Sequence, residues 1–451
     1  MRLWIKDPIA ALAAGAERGL VIENGRIAEL VGSGGAPRAA VDQIFDAGRH
    51  VILPGLINTH HHFYQTLTRA FPAALDKPLF PWLKALYPVW SRLDGEALSA
   101  AVTVAMAELA LSGCTTVVDH HYVFPAGLQN AIDIEIEAAG QLGLRALFTR
   151  GSMNLSVKDG GLPPDCVVQD ADTILADSER LIRRYHQPDG TETGSGGPMV
   201  QIALAPCSPF SVTRELMRDS ALLAERQGVR LHTHLAETED ENDFCAERFG
   251  CRPLDYLEDC GWLSDRVWLA HGIHFTDDEI ARLGRAGTGI CHCPSSNQVL
   301  ASGICPAPAL EAAGAPVGLG VDGSASADCS NLMQEVRAAF LLQRLRHGAE
   351  AIGHRDALRY ATRGSARCIG RDDLGELAPG RAADLAMFTL DELRFAGHGD
   401  PLAALVLCGA HRADRVMVGG RWIVEDGVLP GLNLPALLDR QRRSAERLAM
   451  E

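Results

Sequence analysis

Three consecutive histidines, His60, His61 and His62, stand at the end of the apolar run 51–59 and constrain the fold more than any other feature. Side chains alternate between the two faces of a β-strand, so His60 and His62 lie on one face and His61 on the other. Two imidazoles on one face at a strand end form a pair of candidate metal ligands. The alternative is a polar strand end with three surface histidines, and the other histidines of the chain decide between the two.

Both ends of the chain have the pattern of short strands joined by glycine turns. Residues 19–27 form a predicted hairpin, with two β-rich runs around Asn24-Gly25. Similar strand and hairpin patterns return at 383–388 and 415–424. We therefore predict a small β-sandwich domain built from residues 1–50 and 376–430, interrupted by a domain over 51–375 and followed by a C-terminal helix over 431–451.

The interrupting segment alternates between strand-like and helical patterns. A helix is predicted from Glu96 to Ser112, where apolar residues have helical spacing and Gly113 provides a C-cap. Another begins at the capping box formed by residues 276–279. Apolar runs separated by such helices predict an α/β fold, a (β/α)8 TIM barrel. The runs span 51–58, 115–118, 144–149, 200–204, 230–234, 267–270, 287–291 and 317–321.

The charge and the cysteines exclude several classes of function. With a formal net charge of −15 over 451 residues, the chain lacks the basic surface that would neutralise nucleic-acid phosphates or bind anionic lipid. A free nucleobase carries no phosphate and stays open as a ligand. The 12 cysteines include no Cys-x-x-Cys pair and no secretory signal precedes them, so we expect a cytoplasmic protein with reduced thiols. Cys291-His292-Cys293 lacks the other half of a tetrahedral set, which favours core packing over zinc binding.

Chemistry in (β/α)8 barrels takes place at the C-terminal ends of the strands. Those ends carry five candidate ligands: His60 and His62 on strand one, His234 on strand five, His271 on strand six and Asp322 on strand eight. Three of these imidazoles together with the carboxylate suit zinc or another borderline divalent ion. Two alternatives stay open. His232 is a rival for the tip of strand five, and Asp322 precedes a glycine, a pattern common in turns.

A series of motifs along the chain is similar to those of one enzyme family. They span 54–62, 113–119, 234–238, 271–274, 292–297, 320–323 and 375–385. In this order they resemble the amidohydrolase superfamily, in its branch of cytosine/guanine deaminases and triazine hydrolases. The resemblance covers essentially the whole chain. Within that branch, the segments 61–69, 81–83 and 205–210 are most similar to bacterial deaminases that act on 8-oxoguanine.

Carried over residue by residue, the resemblance implies that His60, His62, His234 and Asp322 bind one metal ion. Members of the superfamily that bind two ions use a carbamylated lysine at the tip of strand four, and residues 204–207 here contain no lysine. The ion implied is Zn²⁺, with Fe²⁺ left open because both suit this ligand set.

The resemblance also implies the proton chemistry. Asp322 accepts a proton from the attacking water, Glu237 protonates the ring nitrogen beside the attacked carbon, and His271 stabilises the tetrahedral adduct. The expected reaction is hydrolytic deamination of a free purine-type base, with 8-oxoguanine giving uric acid and ammonia. Guanine, isocytosine, another amino-azine or a halogenated triazine is the alternative substrate, and a non-catalytic amidohydrolase-like scaffold is the alternative from another class. We expect a homo-oligomer, a dimer or larger.

Candidate substrate contacts lie at strand tips and on the loops that follow. Gln65 offers a donor and an acceptor to a purine or lactam edge. Arg150 is predicted to end strand three and meet a carbonyl oxygen, and Trp82 to stack on a flat ring, with lid packing as its alternative. Ser326 lies just beyond strand eight. Cys207 stands where many relatives have a histidine, which predicts a different ligand group at that tip.

Overall fold

The computed structural model describes residues 1–450. Its strands form an eight-stranded parallel sheet, a four-stranded sheet and a five-stranded sheet. The strands are β1 (Arg2–Lys6), β2 (Ala10–Ala11), β3 (Gly19–Glu23), β4 (Arg26–Leu30), β5 (Gln43–Asp46), β6 (His50–Pro54), β7 (Leu56–Asn58), β8 (Cys114–His121), β9 (Arg145–Ser152), β10 (Val200–Pro206), β11 (Leu231–Leu235), β12 (Val267–His271), β13 (Gly289–His292), β14 (Val317–Leu319), β15 (Leu385–Thr389), β16 (Arg415–Val418) and β17 (Arg421–Val424).

Most of the helices connect strands of the eight-stranded sheet. They are α1 (Leu79–Trp90), α2 (Gly95–Leu111), α3 (Ala131–Leu142), α4 (Ala171–Tyr185), α5 (Arg214–Gln227), α6 (Glu239–Phe249), α7 (Pro253–Asp259), α8 (Asp277–Ala286), α9 (Pro294–Val299), α10 (Ala307–Ala313), α11 (Leu332–His347), α12 (His354–Arg359), α13 (Ser365–Cys368), α14 (Pro401–Leu407) and α15 (Leu434–Met450). Within residues 1–450, no helix combines the length and the apolar character needed to cross a membrane.

The eight-stranded sheet runs from β7 to β14 in chain order. Its first and last strands meet at their C-terminal ends, where the Thr59 N–H donates to the Leu319 carbonyl (3.0 Å) and the Asp322 N–H donates to the His60 carbonyl (3.1 Å). Gly320 allows this approach, because a Cβ there would lie 2.8 Å from the His60 Cβ. The sheet therefore closes into a barrel, and the predicted (β/α)8 fold is confirmed.

The apolar run 51–58, predicted as one barrel strand, divides at Gly55. β6 pairs with β15 in the five-stranded sheet, whereas β7 pairs with β8 in the barrel. A Cβ on Gly55 would lie 2.1 Å from the Thr115 hydroxyl oxygen, so only glycine fits this crossing. Both halves of the run are buried and apolar. The sequence therefore does not show where the run divides.

The four-stranded and five-stranded sheets pack face to face. The first contains β4, β3, β1 and β5, and the second contains β17, β16, β15, β6 and β2. Their shared apolar core includes Ile5, Leu20, Ile52, Leu385 and Met417. Strands from both ends of the chain thus complete a small β-sandwich, as predicted. The residue boundaries given for the domains stay a prediction.

Local sequence signals explain several elements. Asn24 and Gly25 both have positive φ, 51° and 74°, which suits the tight hairpin between β3 and β4. Thr276 and Glu279 form the capping box that begins α8, which confirms that prediction. Asp94 begins α2 by accepting a backbone N–H of the first turn at 2.8 Å.

A buried ion pair joins the barrel to the β-sandwich. Arg145, at the start of β9, donates to both carboxylate oxygens of Asp384, with Nε–Oδ2 at 2.8 Å and Nη2–Oδ1 at 3.0 Å. Asp384 also accepts the Gly419 N–H at 2.8 Å. The side chains of both partners are at most 4% exposed. Removing one partner would leave an uncompensated charge in the interior.

Replacing Arg145 by Met should lower the free energy of unfolding by about 3–5 kcal/mol, because the Asp384 carboxylate would remain buried without its cation. Arg49→Met is the matched control, since Arg49 and its partner Asp391 are 63% and 61% exposed and exposed pairs contribute little. Urea denaturation of the two variants measures the difference. Equal midpoints would contradict the role assigned to the buried pair.

Candidate active site

The five sequence-predicted ligands meet at the C-terminal ends of the barrel strands. His60 and His62 follow β7, His234 lies on β11, His271 ends β12, and Asp322 follows β14. All five side chains are buried, with at most 9% exposure. His271 and Asp322 have left-handed backbone conformations, with φ of 73° and 63°, which turn the chain sharply as each strand ends. The structure thus brings together all five predicted ligands.

Hydrogen bonds to carbonyl oxygens fix which nitrogen of the imidazoles carries the proton. Because a carbonyl only accepts, the His62 Nδ1–H donates to the His120 carbonyl at 2.8 Å, and the His234 Nδ1–H donates to the Cys207 carbonyl at 2.7 Å. The Nε2 atoms of both rings therefore carry lone pairs. They face each other across 3.2 Å, a contact between two acceptors that a cation beside them would relieve.

A relay of two consecutive hydrogen bonds, from His60 to His232 and from His232 to a backbone carbonyl, determines which nitrogen of His60 carries the proton. The His232 Nδ1–H donates to the Trp268 carbonyl, which leaves the His232 Nε2 to accept the Nδ1–H of His60, each bond at 2.8 Å. The His60 Nε2 then carries a lone pair and has no hydrogen-bond partner among residues 1–450. Ligand imidazoles in metal sites are oriented through their second nitrogen in this way. His232 thus lies behind His60, and His234 occupies the tip of β11.

The distances between these atoms fit a tetrahedral divalent ion. Asp322 Oδ1 lies 3.3 Å from the Nε2 of His60 and 3.3 Å from the Nε2 of His62. Ligand atoms held about 2.0–2.2 Å from a tetrahedral zinc ion are about 3.3–3.6 Å apart. The contacts of Asp322 with His60 and His62 have this spacing, and the His62 and His234 Nε2 atoms are 3.2 Å apart, so three imidazole nitrogens and one carboxylate form a buried site suited to such an ion.

The protonation states of these groups also suit a metal ion. Burial lowers the pKa values of His60 and His234 well below their usual range, so both rings stay neutral. Burial alone would raise the pKa of Asp322, but the adjacent imidazoles of His60 and His62, each 3.3 Å from its Oδ1, outweigh burial and hold that pKa well below its ordinary value. Neutral imidazoles and an ionised carboxylate are the forms that bind metal.

His271 and Glu237 lie beside the candidate ligands. Asn297 Nδ2 donates to His271 Nδ1 at 2.9 Å, which leaves the His271 Nε2 protonated. That nitrogen is 3.4 Å from Glu237 Oε2 and 4.0 Å from Asp322 Oδ2. Burial, with the neighbouring charges of Asp322 and Glu241, raises the pKa of Glu237 well above its ordinary value. The site therefore offers a carboxyl group and an N–H donor next to the ligand atoms.

A cleft opens onto these residues, and small-molecule sites are concave and lined mostly by apolar and aromatic side chains. Gln65 lines it, with both amide atoms buried and unpartnered within the described part of the chain. Trp82 lines it with its indole N–H held by the Ala325 carbonyl at 3.1 Å, and Ser326 and Cys207 line it as well. Burial raises the pKa of Cys207 to about 12, so its thiol stays neutral. The other lining residues are apolar or aromatic: Leu79, Leu83, Tyr87, Tyr122, Phe210 and Leu300.

Arg150 does not reach the cleft, which corrects the prediction that it meets the substrate. β9 continues to Ser152, so Arg150 lies within the strand and its side chain faces α4. Its Nε donates to Asp177 and its Nη2 to Gln169, both at 2.9 Å. The guanidinium also lies 3.9 Å from the centre of the Phe124 ring. Its donors are therefore engaged on the outer side of the barrel.

Two further residues, His120 and Asn297, lie beside the predicted ligands and were not among the predicted site residues. The predicted strand two ends at Val118, but β8 runs to His121 and turns the His120 side chain into the barrel. The His120 ring stacks on that of His234, with centroids 4.8 Å apart. The tandem histidines at the end of an apolar strand were the available signal for His120. Asn297 ends the motif 292–297, but only the tertiary structure brings it to His271.

Comparison with known proteins places the chain in a family. Residues 51–423 match the profile of the Amidohydrolase family. The chain belongs to the amidohydrolase family. Its relatives include an 8-oxoguanine deaminase from Pseudomonas aeruginosa, 64% identical over 99% of each chain, and a hydroxydechloroatrazine ethylaminohydrolase from Pseudomonas sp. (strain ADP), 40% identical over 84% of this chain and 79% of the relative. The resemblance predicted from the motifs is confirmed.

Solved amidohydrolase structures have the same fold. A triazine hydrolase variant superposes with a TM-score of 0.92 over 98% of this chain and 99% of that chain, at 32% identity. Atrazine chlorohydrolase from Arthrobacter aurescens TC1, in complex with zinc, gives a TM-score of 0.91 over 98% of this chain and 100% of that chain, at 33% identity. A relative that matches almost the whole chain thus binds zinc.

Replacing His232 by Phe should weaken metal binding by about 10–100-fold, because His60 loses the acceptor that fixes its tautomer and orientation. His232→Gln is the matched variant, since its carboxamide oxygen can restore an acceptor, and it should retain more of the affinity. Competition with a chromophoric chelator measures the affinity of each protein for Zn²⁺. An unchanged affinity in His232→Phe would rule out the relay.

Proposed function

We propose that this chain is a metal-dependent hydrolytic deaminase of a free purine-type base, with 8-oxoguanine as the substrate and uric acid and ammonia as the products. The observation that carries the proposal is 64% identity over 99% of both chains to an 8-oxoguanine deaminase, combined with a buried site that has the groups this reaction needs. Guanine, isocytosine and triazines are competing substrates, because a relative named for a triazine substrate matches at 40% identity.

Four side chains would hold the ion: His60, His62 and His234 through Nε2, and Asp322 through a carboxylate oxygen. When bound, one divalent ion such as Zn²⁺ supplies a Lewis acid that lowers the pKa of a bound water to about 7. The protein prepares the site by keeping the imidazoles of His60 and His234 neutral and by burying every ligand side chain. The absence of a lysine from residues 204–207 supports one ion at this position.

The proton transfers use Asp322, Glu237 and His271. Asp322 is held ionised and accepts a proton from the attacking water. Glu237, whose pKa is raised by burial, delivers a proton to the ring nitrogen beside the attacked carbon, and general acid catalysis of this kind contributes about 10²–10⁴ in rate. His271 donates its Nε2–H to the oxygen that gains charge. Transfer of the proton held by Asp322 to the exocyclic amine then allows the C–N bond to break and ammonia to leave.

Gln65 would recognise the edge of the base through hydrogen bonds. Its amide donates to a carbonyl oxygen and accepts from a ring N–H, the pattern that a lactam presents. Gly323 leaves room for it, because a Cβ there would lie 1.8 Å from the Gln65 Oε1. The aromatic rings of Trp82 and Tyr122 in the cleft wall suit a flat heterocycle.

Metal-replete protein should release ammonia and urate from 8-oxoguanine with a kcat/KM roughly 10²-fold or more above that for guanine or isocytosine, because analogues leave buried polar groups unpaired. Coupled detection of ammonia and the absorbance of urate measure the reaction, and hydroxylated and halogenated triazines complete the panel. Faster turnover of another ring would replace the substrate in the proposal. Failure to release ammonia from any of them would remove the deaminase function.

Replacing Glu237 by Gln should retain the metal ion and reduce kcat by about 10²–10⁴, since the amide cannot deliver a proton. Glu239→Gln is the matched control, because Glu239 is 72% exposed and pairs with His274 at the surface. Metal analysis and steady-state kinetics of both variants give the comparison. Near-normal turnover in Glu237→Gln would remove this residue from the mechanism.

A further inference from the structure

β8 places metal-ligating side chains on both of its faces. His120 faces the barrel interior, where its ring centroid lies 5.8 Å from that of His60. Asp119 and His121, on either side of it in the chain, meet Glu135 of α3 on the outer face. Asp119, His121 and Glu135, here called the outer cluster, are all fully buried at 0% exposure. Their ligand atoms lie within 4.8 Å of one another.

Hydrogen bonds leave several atoms of the outer cluster free. His121 donates its Nε2–H to the Val123 carbonyl at 2.8 Å, so its Nδ1 keeps a lone pair. Asp119 uses one oxygen to accept the Phe63 N–H at 2.6 Å. The other Asp119 oxygen, both Glu135 oxygens and the His121 Nδ1 have no hydrogen-bond partner anywhere in residues 1–450. Buried Lewis-basic atoms from all three residues therefore converge.

The closest contact of the outer cluster joins two of these atoms. His121 Nδ1 lies 3.0 Å from Glu135 Oε1, and two lone pairs at this distance repel unless a cation or a proton lies between them. The surrounding side chains include the aromatic rings of Tyr64 and Phe124. The nearby guanidinium of Arg150 is already bound by partners on α4 and in the segment before it.

We propose that the outer cluster is a second cation site, on the outside of the barrel, for a divalent first-row transition ion. One imidazole and two carboxylates are ligands that zinc, iron(II) and manganese accept, and two carboxylates balance the charge of a divalent ion. The hydrogen bond from His121 to a backbone carbonyl is the contact that orients a ligating imidazole. This site lies apart from the strand tips, to which the expectation of a single ion applies.

Protons are the competing way to neutralise the outer cluster. Burial raises the pKa of Glu135 to about 8, so this carboxyl holds a proton at neutral pH when no cation is bound. Cation binding then releases protons. The two states differ in metal content, because a protonated cluster holds no ion.

An ion in the outer cluster would be structural. Phe63, whose N–H binds Asp119, directly follows His62 in the chain. The ion would therefore fix β8 and α3 to the segment that carries the ligands of the barrel site. The fully buried position of the outer cluster keeps it out of contact with a substrate in the cleft.

The test is the metal content of the full-length protein, purified from medium supplied with Zn²⁺ and Mn²⁺ and measured by inductively coupled plasma mass spectrometry. We expect about two ions per chain in the wild type, about one in Glu135→Gln and about one in His234→Asn, which lacks a ligand of the barrel site. Glu137→Gln is the matched control, because Glu137 is exposed on the same helix, and it should keep both ions.

A wild-type protein with one ion per chain, or a Glu135→Gln variant with two, would overturn the second site. If Glu135→Gln does not fold, anomalous scattering from wild-type crystals at the metal absorption edge decides: we expect a peak between Asp119 and Glu135, and a peak at His60 alone would overturn the proposal. The His234→Asn variant reports on the barrel site, so failure of either site is recognised separately from the other.

Discussion

The geometry of the active site depends on closure of the eight-stranded sheet. β7 and β14 meet through hydrogen bonds between Thr59 and Leu319 and between Asp322 and His60, residues about 260 positions apart in the chain. The same closure sets the Asp322 carboxylate 3.3 Å from the His60 Nε2. Gly320 leaves the space for it. Ligand atoms from the first and last strands of the barrel become neighbours only because the sheet closes on itself.

Closure also buries several imidazoles away from water, and each ring nitrogen must then find a partner. One nitrogen of His62 and one of His234 donate to backbone carbonyls, and His60 donates to His232, which itself donates to a carbonyl. The remaining lone pairs point at one another. A divalent cation satisfies them together, whereas protons would place several positive charges side by side. In the outer cluster of β8 and α3, a cation would likewise satisfy the lone pairs of one imidazole and two carboxylates.

One aspartate, Asp384, joins the β-sandwich to the barrel through several partners. The Asp384 carboxylate accepts from Arg145 of the barrel and from the Gly419 N–H, and its backbone carbonyl accepts the Gly55 N–H at 2.8 Å. Gly55 lies where the chain leaves the sandwich and enters the barrel. The two ends of the chain therefore meet at the base of the strand that carries His60.

The sequence by itself determined the barrel, the sandwich and the residues at the strand tips, because alternation, helix caps and apolar runs are local patterns, and His60 and His62 share a face by strand geometry alone. The tertiary structure decided the rest. Strands of a parallel barrel are buried on both faces, so hydrophobicity does not show where a strand ends. For this reason the sequence does not show that the first apolar run divides at Gly55. It also does not show that Arg150 points out of the barrel and His120 into it. The partners that fix each imidazole tautomer lie on other strands, and only the closed barrel brings them into contact.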